Sequence, residues 1–258
     1  MRLYKIIPAV LFSLSVCSIA NAAELCAAVA DANNGKVIFE RGECSQQVTP
    51  ASTFKIAISL MGYDSGFLKD EHTPMLPYRQ GYVDWNESWL HPTDPTKWIH
   101  DSVVWYSQQV TTSLGKERFT AYVKEFQYGN ADVSGDAEND GLTMSWISSS
   151  LRISPLEQLS FLMRVVNRQL GVSKHAYDMT DVITKLEKSP DGWEIHGKTG
   201  AASGLGWYVG WASKKGRTFT FARLIRRDKS DPQDVSAGVL ARDAFISEFP
   251  KVIDSFGH

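Results

Sequence analysis

Four short polar motifs follow one another along the chain, and each contains residue types that could take part in the attack of a serine on a strained amide. They are Ser-Thr-Phe-Lys at 52–55, Ser-Val-Val at 102–104, Tyr-Gly-Asn at 128–130 and Lys-Thr-Gly at 198–200. A serine beside a base is a nucleophile, and a lysine next to a threonine can hold a carboxylate. Together the motifs predict a serine acyl-transfer site.

The first motif supplies the predicted nucleophile and its base. A Pro-Ala dipeptide precedes an apolar run of helical spacing, so Ser52 is expected in the first turn of a helix and Lys55 one turn later on the same face. The helix N-terminus favours negative charge on the serine oxygen and offers free amides for an oxyanion hole. Lys55 can act as a base only as a neutral amine, which burial would favour. The same spacing at 113–116 contains a glycine and is interpreted as a solvated connection.

Each of the other three motifs also has an ordinary structural interpretation. Ser102 precedes a buried helix, so it could present a hydroxyl to the site or cap that helix. The residues at 128–130 follow an amphipathic helix, where glycine and asparagine also make turns. Lys198 and Thr199 offer a positive charge and a hydroxyl to an anion, and Gly200 permits close approach, although a solvated strand end has a similar composition. The order of all four motifs favours the functional interpretation.

The N-terminus has the composition of a secretory signal. A basic start, an apolar stretch and small residues at 20–22 predict a cleavable signal peptide over residues 1–22. A lipoprotein signal at Cys17 is an alternative, although bulky Val16 stands where such signals have a small residue. The mature chain, 23–258, contains no apolar run long enough for a spanning helix. It is expected to act in the periplasm, without membrane attachment.

Charge and cysteine content exclude some partners. The chain has 27 basic and 29 acidic residues, which does not indicate nucleic-acid binding. Its six histidines show no paired ligand spacing, so no metal site is predicted.

Once the signal is removed, Cys26 and Cys44 remain, and an exported protein favours a disulfide between them. Two buried free thiols are the alternative.

The elements that must position the motifs follow the order sheet, helices, sheet, helix. Two strand patterns at 25–30 and 36–40 are joined by Asn-Asn-Gly, a hairpin signal. Helical spacing then dominates to about residue 186, with a capping box predicted at 154–157. Strand patterns return at 193–225, and a final helix is predicted to begin at Asp231-Pro232 and to run through Phe249.

The four motifs resemble those of the class D serine β-lactamases, the oxacillinase family, and the resemblance covers essentially the whole mature sequence. Ser-Val-Val and Tyr-Gly-Asn are the class D forms, whereas class A enzymes and many penicillin-binding peptidases carry Ser-x-Asn as the second motif. The resemblance implies an α/β (mixed α+β) fold of the serine β-lactamase and penicillin-binding transpeptidase type. An antiparallel sheet with flanking helices, from about 23–50 and 190–258, would lie beside a mainly helical subdomain, about 51–189, in one catalytic domain.

The resemblance also implies the chemistry. Ser52 would be the nucleophile that opens the β-lactam ring, and carbon dioxide would convert Lys55 to N6-carboxylysine, the general base. Carbon dioxide or bicarbonate is then required, and no other cofactor is expected. Trp146 and Val104 would support the carbamate, although Trp146 could equally be a core aromatic residue. Ser102 would relay a proton toward the leaving nitrogen.

Further residues would bind the substrate or support the motifs. The substrate-binding set implied by the resemblance is Lys198, Thr199, Gly200, Ala201 and Arg242. The backbone amide of Ala201 would complete an oxyanion hole with that of Ser52. Arg242 would bind the substrate carboxylate, although a solvated charge is the alternative and Arg223, Arg226 and Arg227 are nearby candidates. The residues with a structural role in the motif would be Tyr128, Gly129 and Asn130.

The expected function is therefore hydrolysis of β-lactam antibiotics, penicillins and oxacillin-type compounds, with antibiotic resistance as the result. The partner is a small-molecule β-lactam, and the protein is expected to be a monomer or a homodimer. Two alternatives share the first chemical steps. A penicillin-binding D,D-peptidase or a β-lactam sensor domain would be acylated without fast turnover.

Overall fold

The computed structural model describes residues 22–254. The predicted signal peptide and the alternative lipid site at Cys17 lie outside the described residues, except for the last residue of the signal. Across this described part of the chain, no helix combines the length and the apolar character needed to cross a membrane.

One five-stranded antiparallel sheet is formed by the two ends of the chain. Its strands are β1 (Ala23–Asp31), β2 (Val37–Gly42), β3 (Glu194–Ala202), β4 (Leu205–Lys214) and β5 (Arg217–Arg226). They lie in the order β2-β1-β5-β4-β3, so β3 is an edge strand. Gly35 adopts a φ of 71° in the predicted hairpin turn, a conformation that glycine accepts at little cost. The strand patterns of both ends are thus confirmed.

The middle of the chain is helical. It comprises a 3₁₀ turn (Ala51–Phe54), α1 (Lys55–Asp64), α2 (Pro95–His100), α3 (Val104–Leu114), α4 (Lys116–Glu125), α5 (Gly141–Met144), α6 (Pro155–Val166) and α7 (Lys174–Thr184). The predicted capping box is present, because the Glu157 amide donates to Ser154 Oγ while the Ser154 amide donates to Glu157 Oε2. This α/β architecture agrees with the predicted fold class.

The last helix starts later than predicted. The structure places α8 at Ala237–Asp254, whereas the sequence predicted a start at Asp231-Pro232. Asp231 instead closes a loop, since its carboxylate accepts from the Asp228 amide at 2.7 Å. The helix begins where it meets the sheet, because a Cβ added at Gly206 would lie 2.2 Å from the Ala237 carbonyl oxygen. This close approach, which only the tertiary structure sets, fixes its first turn.

The sheet separates two apolar cores. Trp207 and Val209 of β4 face the helices, whereas Tyr208 between them packs with Phe245 of α8 on the opposite face. A disulfide joins Cys26 of β1 to Cys44, just after β2. Since strand residues directly opposite each other share a face, the register Thr199↔Tyr208 puts Thr199 on the α8 side and Lys198 on the helical side.

Candidate active site

Ser52 lies in the 3₁₀ turn immediately before α1. The turn is fixed to the rest of the fold, because the amide of Ala51, whose φ is 50°, donates to the Trp146 carbonyl at 2.9 Å. The sequence predicted an α-helical first turn, whereas the structure has the tighter 3₁₀ form and α1 begins at Lys55. Lys55 Nζ is nevertheless 2.9 Å from Ser52 Oγ, within hydrogen-bond distance. The structure therefore brings the predicted nucleophile and base into direct contact.

The Lys55 amine lies in an apolar interior. The residue is fully buried, and its neighbours in the chain, Phe54 and Ile56, are buried core residues. Burial, with the nearby charge of Lys198, holds the pKa of Lys55 well below its ordinary value. The neutral amine is therefore favoured, and a neutral amine can accept a proton from the hydroxyl that it contacts.

Trp146 has a buried indole N–H without an acceptor. Its Nε1 has no hydrogen-bond partner among residues 22–254, although the residue is fully buried. The ring packs at 5.7 Å from that of Phe54, the neighbour of Lys55 in the chain. Thr49 Oγ1 also donates to the Trp146 carbonyl at 2.9 Å. The residue is thus held firmly, and its N–H is available to an acceptor.

Ser102 is half-buried and does not cap α3. The helix starts at Val104, its N-cap is Val103, and no side chain caps it, so the capping alternative is wrong. Ser102 instead has a left-handed φ of 61°, unusual for a residue other than glycine, asparagine or aspartate. The preceding carboxylate, that of Asp101, raises the pKa of Lys198, which places this loop near the Lys-Thr-Gly motif, the fourth of the four. Val104 itself is buried.

Lys198 is a second buried amine. It is 3% exposed, and its Nζ donates to the Thr199 carbonyl at 3.1 Å and to Thr199 Oγ1 at 3.2 Å. Burial, followed by the charge of Arg242, lowers the pKa of Lys198 to about 7, against the opposing effect of Asp101. The lysine is therefore poised between its charged and neutral forms, and an anion beside it would favour the charged form.

Strand β3 packs against the 3₁₀ turn with its helix-facing side at Gly200. A Cβ added at Gly200 would lie 3.0 Å from the Pro50 carbonyl oxygen, so glycine permits this close approach. On the edge of β3 that pairs with no other strand, the Leu186 amide donates to the Ile195 carbonyl at 2.8 Å. Backbone polar groups alternate between the two sides of a strand, so the amide of Ala201 also points to the free edge. This is the orientation that an oxyanion-hole donor needs.

The Tyr-Gly-Asn motif lies behind the nucleophile. Buried Tyr128 packs edge-on at 4.8 Å from the Phe54 ring, and its hydroxyl accepts from Gln158 Nε2 at 3.1 Å. Gly129 has a φ of 53° and touches the Arg152 carbonyl so closely that a Cβ would lie 1.9 Å from it. Asn130 Nδ2 donates to the Ser150 carbonyl at 2.9 Å. All three residues here make structural contacts.

Gln158 is a residue that sequence reasoning missed. Its Nε2 also donates to Thr53 Oγ1 at 3.0 Å, which joins α6 to the residue next to the nucleophile. A glutamine on the apolar face of the predicted helix, fully buried in the structure, is the signal that could have identified it.

Arg242 is the predicted arginine that lies beside Lys198. It projects from α8, pairs with Asp243 at 2.9 Å and borders the same cavity as Lys198. By contrast, Arg223 is 2.6 Å from Glu24 and 2.7 Å from Glu248, so its charge is already compensated. Arg226 and Arg227 follow at the end of β5 and do not border that cavity.

A cavity of about 620 Å³ opens next to these groups. It is bordered by Lys198, Thr199 and Arg242, and it extends to α2, the end of α7 and the buried side chain of Tyr208. Ser52 does not border it, so the nucleophile stands to one side of this space. Nothing in the sequence patterns predicted the cavity or the part of Tyr208 in it.

Comparisons of the sequence and of the structure with known proteins all find relatives of the same family. The profile described as "Penicillin binding protein transpeptidase domain" matches residues 25–244. The chain is 43% identical to "Beta-lactamase OXA-9" of Klebsiella pneumoniae over 87% of this chain and 86% of that protein. It is 37% identical to "Beta-lactamase OXA-1" of Escherichia coli over 72% of this chain and 70% of that protein. The solved structure of the OXA-427 class D β-lactamase superposes with a TM-score of 0.83 at 42% identity, covering 89% of this chain and 98% of that chain.

Proposed function

Because the chain belongs to the class D serine β-lactamases, we propose that it hydrolyses penicillins and oxacillin-type β-lactams through an acyl-enzyme on Ser52 and so confers antibiotic resistance. The observation that carries this proposal is the 2.9 Å contact between Ser52 Oγ and the buried amine of Lys55. A serine hydroxyl is a weak nucleophile until a base removes its proton, and here the base is in contact with it.

The surroundings of Lys55 fit a carbamate. A neutral buried amine can react with carbon dioxide, and the unpaired indole N–H of Trp146 offers a hydrogen bond to an anionic oxygen. Once bound to the Lys55 amine, carbon dioxide supplies an oxygen anion that serves as general base. Buried Val104 would help to exclude water from this region. Carbon dioxide or bicarbonate is thus the only cofactor in the proposal.

In the acylation step, the Ser52 hydroxyl gives its proton to the base at Lys55 while its Oγ attacks the β-lactam carbonyl carbon, and the carbon–nitrogen bond of the ring breaks. The amides of Ser52 and Ala201 stabilise the oxyanion that develops. Ser102 passes a proton to the ring nitrogen as it leaves. The nearby charge of Lys198 and the Thr199 hydroxyl orient the substrate carboxylate, and Arg242 adds a second positive charge.

In the deacylation step, water adds to the acyl carbon and the bond to Ser52 Oγ breaks. The base at Lys55 removes a proton from the water, and the serine oxygen regains a proton as it leaves. This second use of the same base distinguishes a hydrolase from a protein that remains acylated.

We also propose where the protein acts and how it assembles. The mature chain would act in the periplasm after cleavage of its signal peptide. It would bind a small-molecule β-lactam, as a monomer or a homodimer, without nucleic acid and without membrane attachment. Size-exclusion chromatography with light scattering and sequencing of the mature N-terminus would check these points.

Counting turnovers tests the proposed function. The purified protein at known concentration would be mixed with a chromogenic cephalosporin and, separately, with a penicillin, each with added bicarbonate. We expect product well beyond one equivalent. A single stoichiometric burst with a stable acyl-serine would support the sensor or D,D-peptidase alternative instead.

A spectroscopic experiment tests the carbamate independently of turnover. After the protein is stripped of carbon dioxide at mildly acidic pH and supplied with ¹³C-bicarbonate, we expect one carbamate signal in the ¹³C spectrum. The signal should disappear in the Lys55→Ala variant. Full activity in stripped protein, without this signal in the supplied sample, would contradict the carbamate.

A further inference from the structure

The 620 Å³ cavity lies on one particular side of the proposed reaction centre. The residues that would hold the substrate carboxylate, Lys198, Thr199 and Arg242, border it, whereas Ser52 does not. A cavity of this volume is in the range of small-molecule sites. The space therefore begins where the carboxylate would be held and extends away from the nucleophile.

The direction of strand β3 gives the order in which the parts of a bound β-lactam would lie along its edge. The amides of Ala201, Thr199 and Gly197 alternate onto the free edge, about 6.6 Å apart from one to the next. Ala201 would contact the β-lactam carbonyl oxygen, Thr199 the carboxylate, and Gly197 borders the cavity. In a cephalosporin, the ring carbon next to the carboxylate-bearing carbon carries a substituent, whereas the acylamino group is attached on the β-lactam ring. The cavity thus lies on the side of the second ring.

Tyr208 borders this space, and its buried hydroxyl has no hydrogen-bond partner among the described residues. The residue is 1% exposed. The hydroxyl lies over Gly197, where an added Cβ would be only 2.6 Å from it, so this glycine leaves room for it on the α8 side of β3. A buried polar group without a partner is costly, and a ligand that accepts a hydrogen bond would compensate it.

The nearby charges determine which partner suits this hydroxyl. Burial raises the pKa of Tyr208, against the opposing effect of Arg242, so the phenol stays neutral and can donate. Its ring packs against the stacked pair of Phe221, at 5.1 Å, and Phe245, at 5.5 Å, which leaves the hydroxyl little freedom to turn away. The group is therefore an oriented donor for an acceptor oxygen.

From these observations we propose that the cavity is a specificity subsite for the substituent beside the carboxylate of cephalosporins, and that Tyr208 Oη donates a hydrogen bond to an ester oxygen of an acyloxymethyl substituent. The inference rests on the proposed function, because it uses the carboxylate position assigned there. It adds a substrate class that the four motifs do not specify.

The Tyr208→Phe variant tests the hydrogen bond while it keeps the aromatic packing. The probes are two cephalosporins with the same acylamino group, one with an acetoxymethyl and one with a methyl substituent next to the carboxylate. We expect the ratio of their kcat/KM values to fall about fivefold in the variant, as for one lost hydrogen bond. Because kcat/KM is decided by acylation, later loss of the acetoxy group does not affect it. An unchanged ratio would overturn the role of Tyr208.

A second pair of variants tests the cavity itself. Val182 of α7 borders the cavity and is 47% exposed, so Val182→Trp would fill its mouth. We expect the same ratio of kcat/KM values to fall at least threefold. The matched control is Val37→Trp on β2, at the opposite edge of the sheet, which should leave the ratio as it is in the unchanged protein. Equal ratios in both variants would overturn the subsite.

Failure of this inference is distinguishable from failure of the proposed function. If the unchanged protein does not turn over a penicillin, which has no such substituent, then the proposed function fails. If penicillin turnover is normal and both ratios remain unchanged, only the subsite fails.

Discussion

Lys55 and Lys198 are two buried lysines of one cleft, and a comparison of their surroundings explains their different tasks. Lys55 starts α1 inside the apolar core and contacts one hydroxyl, that of Ser52. Lys198 lies on an edge strand and donates to Thr199. The charges of Asp101 and Arg242 shift its pKa in opposite directions. Burial lowers both pKa values, that of Lys55 to well below its ordinary value and that of Lys198 to about 7.

The comparison shows that the location of a lysine in the fold can decide whether it serves as a base or as a binding charge. The core location favours a neutral amine that can serve as a base or react with carbon dioxide. The edge location preserves a titratable charge where an anion can bind. The two amines also influence each other, because the charge of Lys198 helps to lower the pKa of Lys55.

The largest effect on turnover should come from removing the nucleophile Ser52, which contacts Lys55. In Ser52→Ala we expect turnover to fall by at least about 10⁴-fold and the covalent adduct to vanish in intact-mass spectra, because the proposed acyl-enzyme forms on the Ser52 oxygen. The matched control is Ser113→Ala, in a second Ser-x-x-Lys sequence whose exposed serine donates to the Val110 carbonyl. An adduct that persists in Ser52→Ala would show that the site is elsewhere.

A smaller effect should follow from removing the unpaired indole N–H of Trp146, whose ring packs against Phe54, the neighbour of Lys55 in the chain. Trp146→Phe keeps an aromatic ring but deletes the indole N–H, so we expect kcat to fall by about 10- to 100-fold and the half-saturating bicarbonate concentration to rise. Steady-state kinetics at several bicarbonate concentrations would measure both. Trp98→Phe is the control, since that indole already donates to Ser107 Oγ at 2.9 Å. A bicarbonate dependence that changes equally in both variants would contradict a specific role of Trp146.

A pH profile tests whether the charge of Lys198 is needed for activity. With its pKa lowered to about 7, Lys198 of the free enzyme is charged below that pH and becomes neutral above it. We therefore expect kcat/KM for a penicillin, measured in saturating bicarbonate, to decline as the pH rises through about 7. In Lys198→Arg, which stays charged, the decline should move to higher pH even if overall activity is lower. The same midpoint in both proteins would assign the decline to another group.

The smallest effect is expected at the partly exposed arginine beside Lys198. Arg242→Ala should raise the KM of a penicillin roughly tenfold with little change in kcat, because a charge-assisted contact to the carboxylate is lost in both the ground and transition states. Arg226→Ala, at the exposed end of β5, is the matched control. If KM responds equally in both variants, Arg242 is a solvated charge rather than a substrate contact.

Much of the fold was predictable because its signals are local. The hairpin at Gly35 and the capping box at Ser154 were both read correctly from a few neighbouring residues. The start of α8 was not, because the Asp-Pro signal at 231–232 competes with the docking of Ala237 and Gly238 on the sheet. The capping interpretation of Ser102 failed for the same reason, since its left-handed backbone depends on the surrounding fold.

The sequence by itself determined the family, the order of the motifs and the short-range contact of Ser52 with Lys55, since a separation of three residues sets that contact within one turn. Only the tertiary structure decided the charge states and the shape of the cleft. Burial of an amine, an indole N–H without an acceptor and a tyrosine hydroxyl over Gly197 all depend on packing between distant segments. No local pattern encodes them, because desolvation and close approach are properties of the assembled core.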